Sequence, residues 1–152
     1  SGMKRLLITY VSAYGYPAEM ARLIAAGASK ADNLEVEVLD IETADIGEMD
    51  SKLTIADGVI VGSPTINQNT LLPVYRLMAV VSPLRDRGKL AGSFGSYGWS
   101  GEAPSLIAEM LKNLKLKYFE EPAAFKFVPE DGKEKTLMEY GERFGRALTS
   151  PV

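Results

Sequence analysis

Short apolar runs alternate along this chain with segments whose apolar residues recur at helical spacing. Leu6-Leu7-Ile8-Thr9-Tyr10-Val11 is nearly continuous in apolar residues, the pattern of a strand buried on both faces. Met20, Leu23, Ile24 and Ala28 then fall on one helix face, and Pro17 is well placed for the first turn of that helix. Glu35-Val36-Glu37-Val38-Leu39-Asp40 alternates with period two, as expected nearer a sheet edge. Gly58-Val59-Ile60-Val61-Gly62 reads as a short buried strand, and the alternation alone assigns a helix to the stretch before it. Leu71 to Val81 predicts a helix stopped near Pro83, Leu90 to Gly95 a strand, and Ala103 to Leu114 a helix with Pro104 in its first turn. A last strand is expected within Phe119 to Val128, around Phe125, Phe127 and Val128, and a closing amphipathic helix over Lys135 to Leu148. The charged stretch Pro129 to Lys135 reads as a solvated turn between them. Such βα alternation predicts an α/β fold, a parallel sheet covered by helices on both faces and wound by right-handed crossovers. No internal repeat or linker interrupts it, so residues 3–152 are expected to form one domain. Ser1-Gly2, ahead of Met3, reads as the remnant of a protease cleavage site.

Composition narrows the chemistry. The chain has 152 residues, 46% hydrophobic and 24% charged, which is ordinary for a fold with a substantial core. Lys plus Arg is 17 against 20 for Asp plus Glu, a net charge of −3. A mildly acidic chain is a poor binder of the nucleic-acid backbone, which requires a basic face. There is no histidine and no cysteine. That excludes an imidazole base, a Ser-His-Asp triad, a thiolate nucleophile, a disulfide, and His- or Cys-ligated iron or zinc. Redox or transfer chemistry here therefore requires a bound organic cofactor. No apolar run approaches the roughly 20 residues that a membrane helix needs, and a soluble cytoplasmic protein is expected.

Ligands of open α/β sheets sit beyond the carboxyl ends of the strands, where the winding direction reverses. Three loops at such positions are unusual. Ser12-Ala13-Tyr14-Gly15-Tyr16-Pro17 brings a hydroxyl and a glycine to a helix start, a cradle for an anion, or alternatively a plain tight turn. It has neither the Gly-Lys-Ser/Thr ending of a Walker loop nor a dinucleotide Gly-x-Gly-x-x-Gly. Gly62-Ser63-Pro64-Thr65-Ile66-Asn67-Gln68-Asn69 offers hydroxyls and side-chain amides, or simply caps the following helix. Gly95-Ser96-Tyr97-Gly98-Trp99-Ser100-Gly101 holds the single tryptophan between glycines, suited to stacking on a flat ligand or to plugging the sheet end. Together the three suit a planar aromatic ring with a phosphate tail, the shape of flavin mononucleotide (FMN).

With Ser12-Ala13-Tyr14-Gly15 after the first strand, the chain resembles the flavodoxin family. Val61-Gly62-Ser63-Pro64-Thr65-Ile66-Asn67 and Phe94-Gly95-Ser96-Tyr97-Gly98-Trp99-Ser100-Gly101 are more narrowly similar to the flavodoxin-like domain of flavodiiron proteins, the A-type flavoproteins. The resemblance spans about residues 3 to 149. It implies a three-layer sandwich whose five-stranded parallel sheet has the order 2-1-3-4-5. It also implies that Ser12, Ala13, Tyr14, Gly15, Tyr16 and Pro17 surround the phosphate of FMN. Pro64, Thr65, Ile66, Asn67, Gln68 and Asn69 would line the ring and ribityl chain. Ser96, Tyr97, Gly98, Trp99, Ser100 and Gly101 would cover the ring from the other side. In that family FMN passes electrons to a diiron centre in a metallo-β-lactamase-like domain, which reduces dioxygen or nitric oxide. The implied partners are such a domain and a rubredoxin-like donor, and the chain is an electron-transfer part rather than a catalyst alone.

Two departures from the family pattern matter. Tyr16-Pro17 stands where Asn-Thr is usual, which removes a hydroxyl and an N–H from the phosphate end. Each charge-assisted hydrogen bond lost costs about 1.5–3 kcal/mol, so partial FMN occupancy is expected on purification. Asn67-Gln68-Asn69 replaces the frequent Asn-Asn-Gly, so any peptide that turns toward the reduced ring must belong to Asn or Gln. The rival readings are a flavin-dependent reductase of the quinone-reductase type and a cofactor-free interaction module on the same fold.

Overall fold

The computed structural model describes residues 2–11, 16–63, 72–95, 102–119, 123–124 and 132–150. In chain order these form β1 (Lys4–Tyr10), α1 (Tyr16–Ala28), β2 (Leu34–Asp40), α2 (Ile46–Ile55), β3 (Gly58–Ser63) and α3 (Leu72–Val80). They continue with the single turn α4 (Pro83–Asp86), β4 (Leu90–Gly95), α5 (Glu102–Asn113), β5 (Lys117–Tyr118), β6 (Ala123–Ala124) and α6 (Lys133–Thr149). The sheet runs β2-β1-β3-β4-β5, as expected, and every ladder is parallel. Helix α2, which alternation alone assigned, opens on Asp45, whose carboxylate accepts the Glu48 N–H at 2.7 Å.

Two expectations need correction. Ala123–Ala124 lies within the Phe119 to Val128 range of the expected last strand, but strand structure at this edge starts earlier. It begins at Lys117 and comes in two pieces: Leu90 and Ala91 face Lys117 and Tyr118, while Phe94 and Gly95 face Ala123 and Ala124. Because β3 occupies the other side of β4 over Leu90–Gly95, both pieces share one edge. Glu120-Glu121-Pro122 lies between them in sequence, and a proline has no N–H to give a ladder. Phe125, Phe127 and Val128 lie outside the described residues. The second correction concerns the charged stretch, whose Lys133 and Glu134 already belong to the closing helix rather than to a turn. A carboxylate in the first turn, here Glu134, favours the positive end of a helix.

The pleat divides the core into two layers. Leu6 and Ile8 of β1 pack with Met20, Ile24, Ile60, Phe94, Leu137, Tyr140 and Phe144, under α1 and α6. Leu7 packs on the opposite face with Met49, Leu53, Val59, Val61, Val74, Leu77, Ile107 and Leu111, under α2, α3 and α5. Alternate residues of one strand thus feed both layers, which is why the buried strands read as unbroken apolar runs. Helices α1 and α6 approach unusually closely. A Cβ placed on Gly27 would lie 1.9 Å from the Met138 carbonyl oxygen, and one on Gly141 would lie 2.0 Å from that of Ile24. Only glycine permits backbone-to-backbone contact at these two positions.

Candidate functional site

The parallel ladders bring the ends of β1, β3 and β4 to one edge of the sheet. Thr9 is level with Val61, and Ser63 is level with Gly95. The chain leaves these three adjacent strands through residues 12–15, 64–71 and 96–101, and enters α1 at Tyr16, α3 at Leu72 and α5 at Glu102. From β1 the order proceeds to β2 on one side and to β3 on the other, so the winding reverses between β1 and β3. Helix α1 covers one face, with α3 and α5 on the other. Connections that diverge to opposite faces leave a crevice at that point. Three helix N-termini open toward this edge, and their positive dipole ends favour an anion there.

Beneath the edge the strands are sealed. Val11, Gly62, Phe94 and Gly95 are buried, and the Phe94 ring lies where a Cβ on Gly62 would sit, 2.3 Å away. The Thr9 hydroxyl donates to the Ile60 carbonyl at 3.1 Å, and the Ser93 and Tyr118 hydroxyls share a hydrogen bond at 2.6 Å. These buried hydroxyls have partners within the sheet. Leu72, Tyr75 and Leu106, near the starts of α3 and α5, are exposed large apolar residues beside the loops.

Of the predicted site residues, Tyr16 and Pro17 lie in the first turn of α1, where Pro17 was expected. Ser12, Ala13, Tyr14, Gly15, the run from Pro64 to Asn69 and the run from Ser96 to Gly101 lie outside the described residues. The structure does, however, bring the attachment points of all three loops together. At the described end of the first loop, the start of α1 offers backbone N–H groups suited to an anion, with Pro17 a gap among them.

Other polar features lie elsewhere. A cleft of about 290 Å³ is lined by Arg5, Leu7, Glu35, Glu37, Lys52 and Ile55 among others. It sits near the beginnings of β1 and β2 and the end of α2, away from the loop edge. Its walls are ion-paired, Arg5 with Glu35 at 3.2 Å and Lys52 with Glu37. The hydrogen bond that Lys52 donates to the Glu37 carboxylate raises the Lys52 pKa. Among the described residues no group of three or more acidic side chains could hold a metal ion, and no helix is long and apolar enough to cross a membrane.

Sequence reasoning missed one polar cluster. Asp86, with no exposed surface, accepts hydrogen bonds from Ser82 N–H (2.9 Å) and Arg85 (2.9 and 2.8 Å), and pairs with Lys89 at 2.8 Å. Arg85 also donates to the Val80 carbonyl at 3.0 Å and Lys89 to that of Leu53 at 2.7 Å. One carboxylate thereby fixes two cations, each capping the end of a different helix, α3 and α2. The signal was present: Ser82 followed by Pro83 is a helix start, and an acid four residues on can reach back to its N–H. The cluster adjoins the start of β4, the edge opposite the loops, and is structural.

An open parallel sheet of order 2-1-3-4-5 whose winding reverses between β1 and β3 is the flavodoxin-like class of α/β protein. A flavodoxin family model matches residues 8–141, and the chain belongs to that family. It is 36% identical over 149 residues to the flavo-diiron protein FprA2 of Clostridium acetobutylicum, covering 97% of this chain and 37% of that one. It is 38% identical over 145 residues to the type A flavoprotein fprA of Rhodobacter capsulatus, covering 95% and 32%. Among solved structures, the flavodiiron core of Flv1 from Synechocystis sp. matches with a TM-score of 0.80 at 29% identity, over 97% of this chain and 36% of that one. The chain is a flavodoxin-like domain homologous to part of the flavodiiron proteins, and it spans about a third of the length of these relatives. Its fold and family imply an FMN site.

Proposed function

We propose that this chain carries FMN at the loop edge of its sheet and serves as the electron-transfer domain of a flavodiiron-type system. The observation that carries the reading is the convergence of the β1, β3 and β4 ends at the winding reversal, in a chain of the flavodoxin family. Residues 3–152 act as one domain. Bound FMN supplies one- and two-electron transfer. Ser12, Ala13, Tyr14, Gly15 and the first turn of α1 hold its phosphate. Pro64, Thr65, Ile66, Asn67, Gln68 and Asn69 line one side of the ring and ribityl chain. Ser96, Tyr97, Gly98, Trp99, Ser100 and Gly101 cover the other and exclude water. Leu72, Tyr75 and Leu106 flank these loops with apolar surface, which suits close approach of a partner. The partner is a diiron metallo-β-lactamase-like domain, a reading supported by relatives that are about three times as long as this chain and include one named a flavo-diiron protein, and a rubredoxin-like protein is the donor.

Equilibrium dialysis of the purified chain against FMN tests the reading. One FMN per chain is expected, and the reduced, loaded protein should pass electrons to a diiron domain lacking its own flavodoxin-like part. Absence of uptake at any accessible FMN concentration would sink it.

A further inference from the structure

Two exposed patches of opposite charge adjoin where α2 meets α4. Glu42 to Asp50 contains the carboxylates Glu42, Asp45, Glu48 and Asp50 and no lysine or arginine. All four acids are exposed, and Ile46 among them is 54% exposed. Lys52, one turn further on, approaches Glu48 at 3.9 Å. The second patch surrounds Leu84, which at 97% is the most exposed large apolar side chain among the described residues. Arg87 and Lys115 are exposed beside it. The Gly88 N–H donates to the Lys115 carbonyl at 2.9 Å, which sets the two backbones side by side. Neither cation has an ion-pair partner among the described residues, and the nearby Asp86 is buried and holds Arg85 and Lys89 instead. Lys115 has a φ of 72°, a left-handed conformation that glycine or asparagine adopts more easily. Helix α5 already carries Lys112 in its last turn, so its dipole does not account for a second lysine there. The patches are joined: Arg85 donates to Asp50 at 2.8 Å, and Asp50 lies one turn from Ile46 on the same side of α2.

We propose that this face docks a second copy of the chain in a twofold dimer, the acidic patch of each copy meeting the basic patch of the other. An exposed apolar residue alone needs no partner. Here there are two, one beside carboxylates and the other beside cations, on one continuous surface. Such a surface is complementary to itself, which is the condition for a twofold interface. An axis near the Asp50–Arg85 pair sets Ile46 and its acids against Leu84, Arg87 and Lys115 twice over. The charges steer the encounter and fix its register, and covering Leu84 and Ile46 supplies the apolar gain. The proposal uses no residue of the candidate flavin site and stands independently of it.

Sedimentation velocity of the 152-residue chain tests this at low and high salt, since the screening length falls from roughly 30 Å in about 0.01 M salt to about 3 Å in 1 M. A dimer is expected at low salt, dissociating as salt rises. Two double variants reverse one patch each: Arg87→Glu with Lys115→Glu, and Glu42→Lys with Glu48→Lys. Each alone sets like charges together and should be monomeric where the parent chain is dimeric. Their equimolar mixture restores opposite charges at both contacts and should dimerise again. Leu84→Ser, which leaves every charge in place, should weaken the dimer about tenfold or more. Circular dichroism reports whether each variant is folded, and if a charge-reversed variant is not, Leu84→Ser decides. A parent chain that stays monomeric in low salt overturns the proposal. So does a dimer that neither salt nor these substitutions disturb, or a mixture of folded variants that remains monomeric.

Discussion

Asp86 illustrates what a single buried charge does when every acceptor position is used. Burial by itself would push its pKa upward, but the hydrogen bonds from Arg85, Lys89 and the Ser82 N–H outweigh it and hold the carboxyl at about 2, below its ordinary 3.8. A depressed carboxylate pKa contributes stability that is fully present above the unfolded value and is lost as pH falls through the folded one. The window is therefore from about pH 4 down to about pH 2, and the contribution is about 2 kcal/mol. Asp86→Asn should cost about 2–4 kcal/mol at neutral pH in urea unfolding, because two cations lose their shared partner. The variant should also lack that part of the acid dependence. Equal stability of the two proteins at pH 7 would contradict the assigned role. At the loop edge the residue-scale question is Pro17, whose missing N–H was legible in the sequence and whose place in the first turn of α1 was expected. The Asp86 cluster was not foreseen, because its cations cap helices that only the fold brings to them.

Among elements, the pairing of α1 with α6 carries the clearest consequence. Their backbones touch at Gly27 and Gly141, each of which would place a Cβ about 2 Å from a carbonyl oxygen of the other helix. Gly141→Ala should therefore force the helices apart and cost about 1–3 kcal/mol or somewhat more, even though alanine is the better helix former. Thermal or urea unfolding reads the sign directly; a stabilised variant would mean that the helices yield at no cost. The helices and central strands were legible as periodic segments, as at Leu90–Gly95, where the expected and observed strands coincide. The edge strand was less so. Its apolar signal at Phe125, Phe127 and Val128 drew the expectation away from Lys117–Tyr118, a pair too short to show any period.

For the whole molecule, ligand and stability are linked. A flavin that binds the folded chain and not the unfolded one stabilises it by about 2.7 kcal/mol at roughly 100 times its dissociation constant. For a domain of this size that corresponds to a rise of roughly 5–10 °C in the thermal midpoint. The shift should follow saturation, so that riboflavin and FMN give equal shifts at equal multiples of their own constants. A midpoint indifferent to saturating flavin would show that the loop edge is not part of the cooperative unit.

The chain's order of short apolar runs and helix-period segments determined the α/β class, because strands buried on both faces cannot show alternation and helices covering them must. The absence of histidine and cysteine likewise settled which chemistries the side chains cannot perform, since no folding restores a missing functional group. What only the tertiary structure decided was proximity: which strand lies beside which, that the β1, β3 and β4 ends meet at one edge, and that Asp86 joins the ends of two helices. Those relations depend on the register and winding of the sheet, which no local stretch of residues encodes.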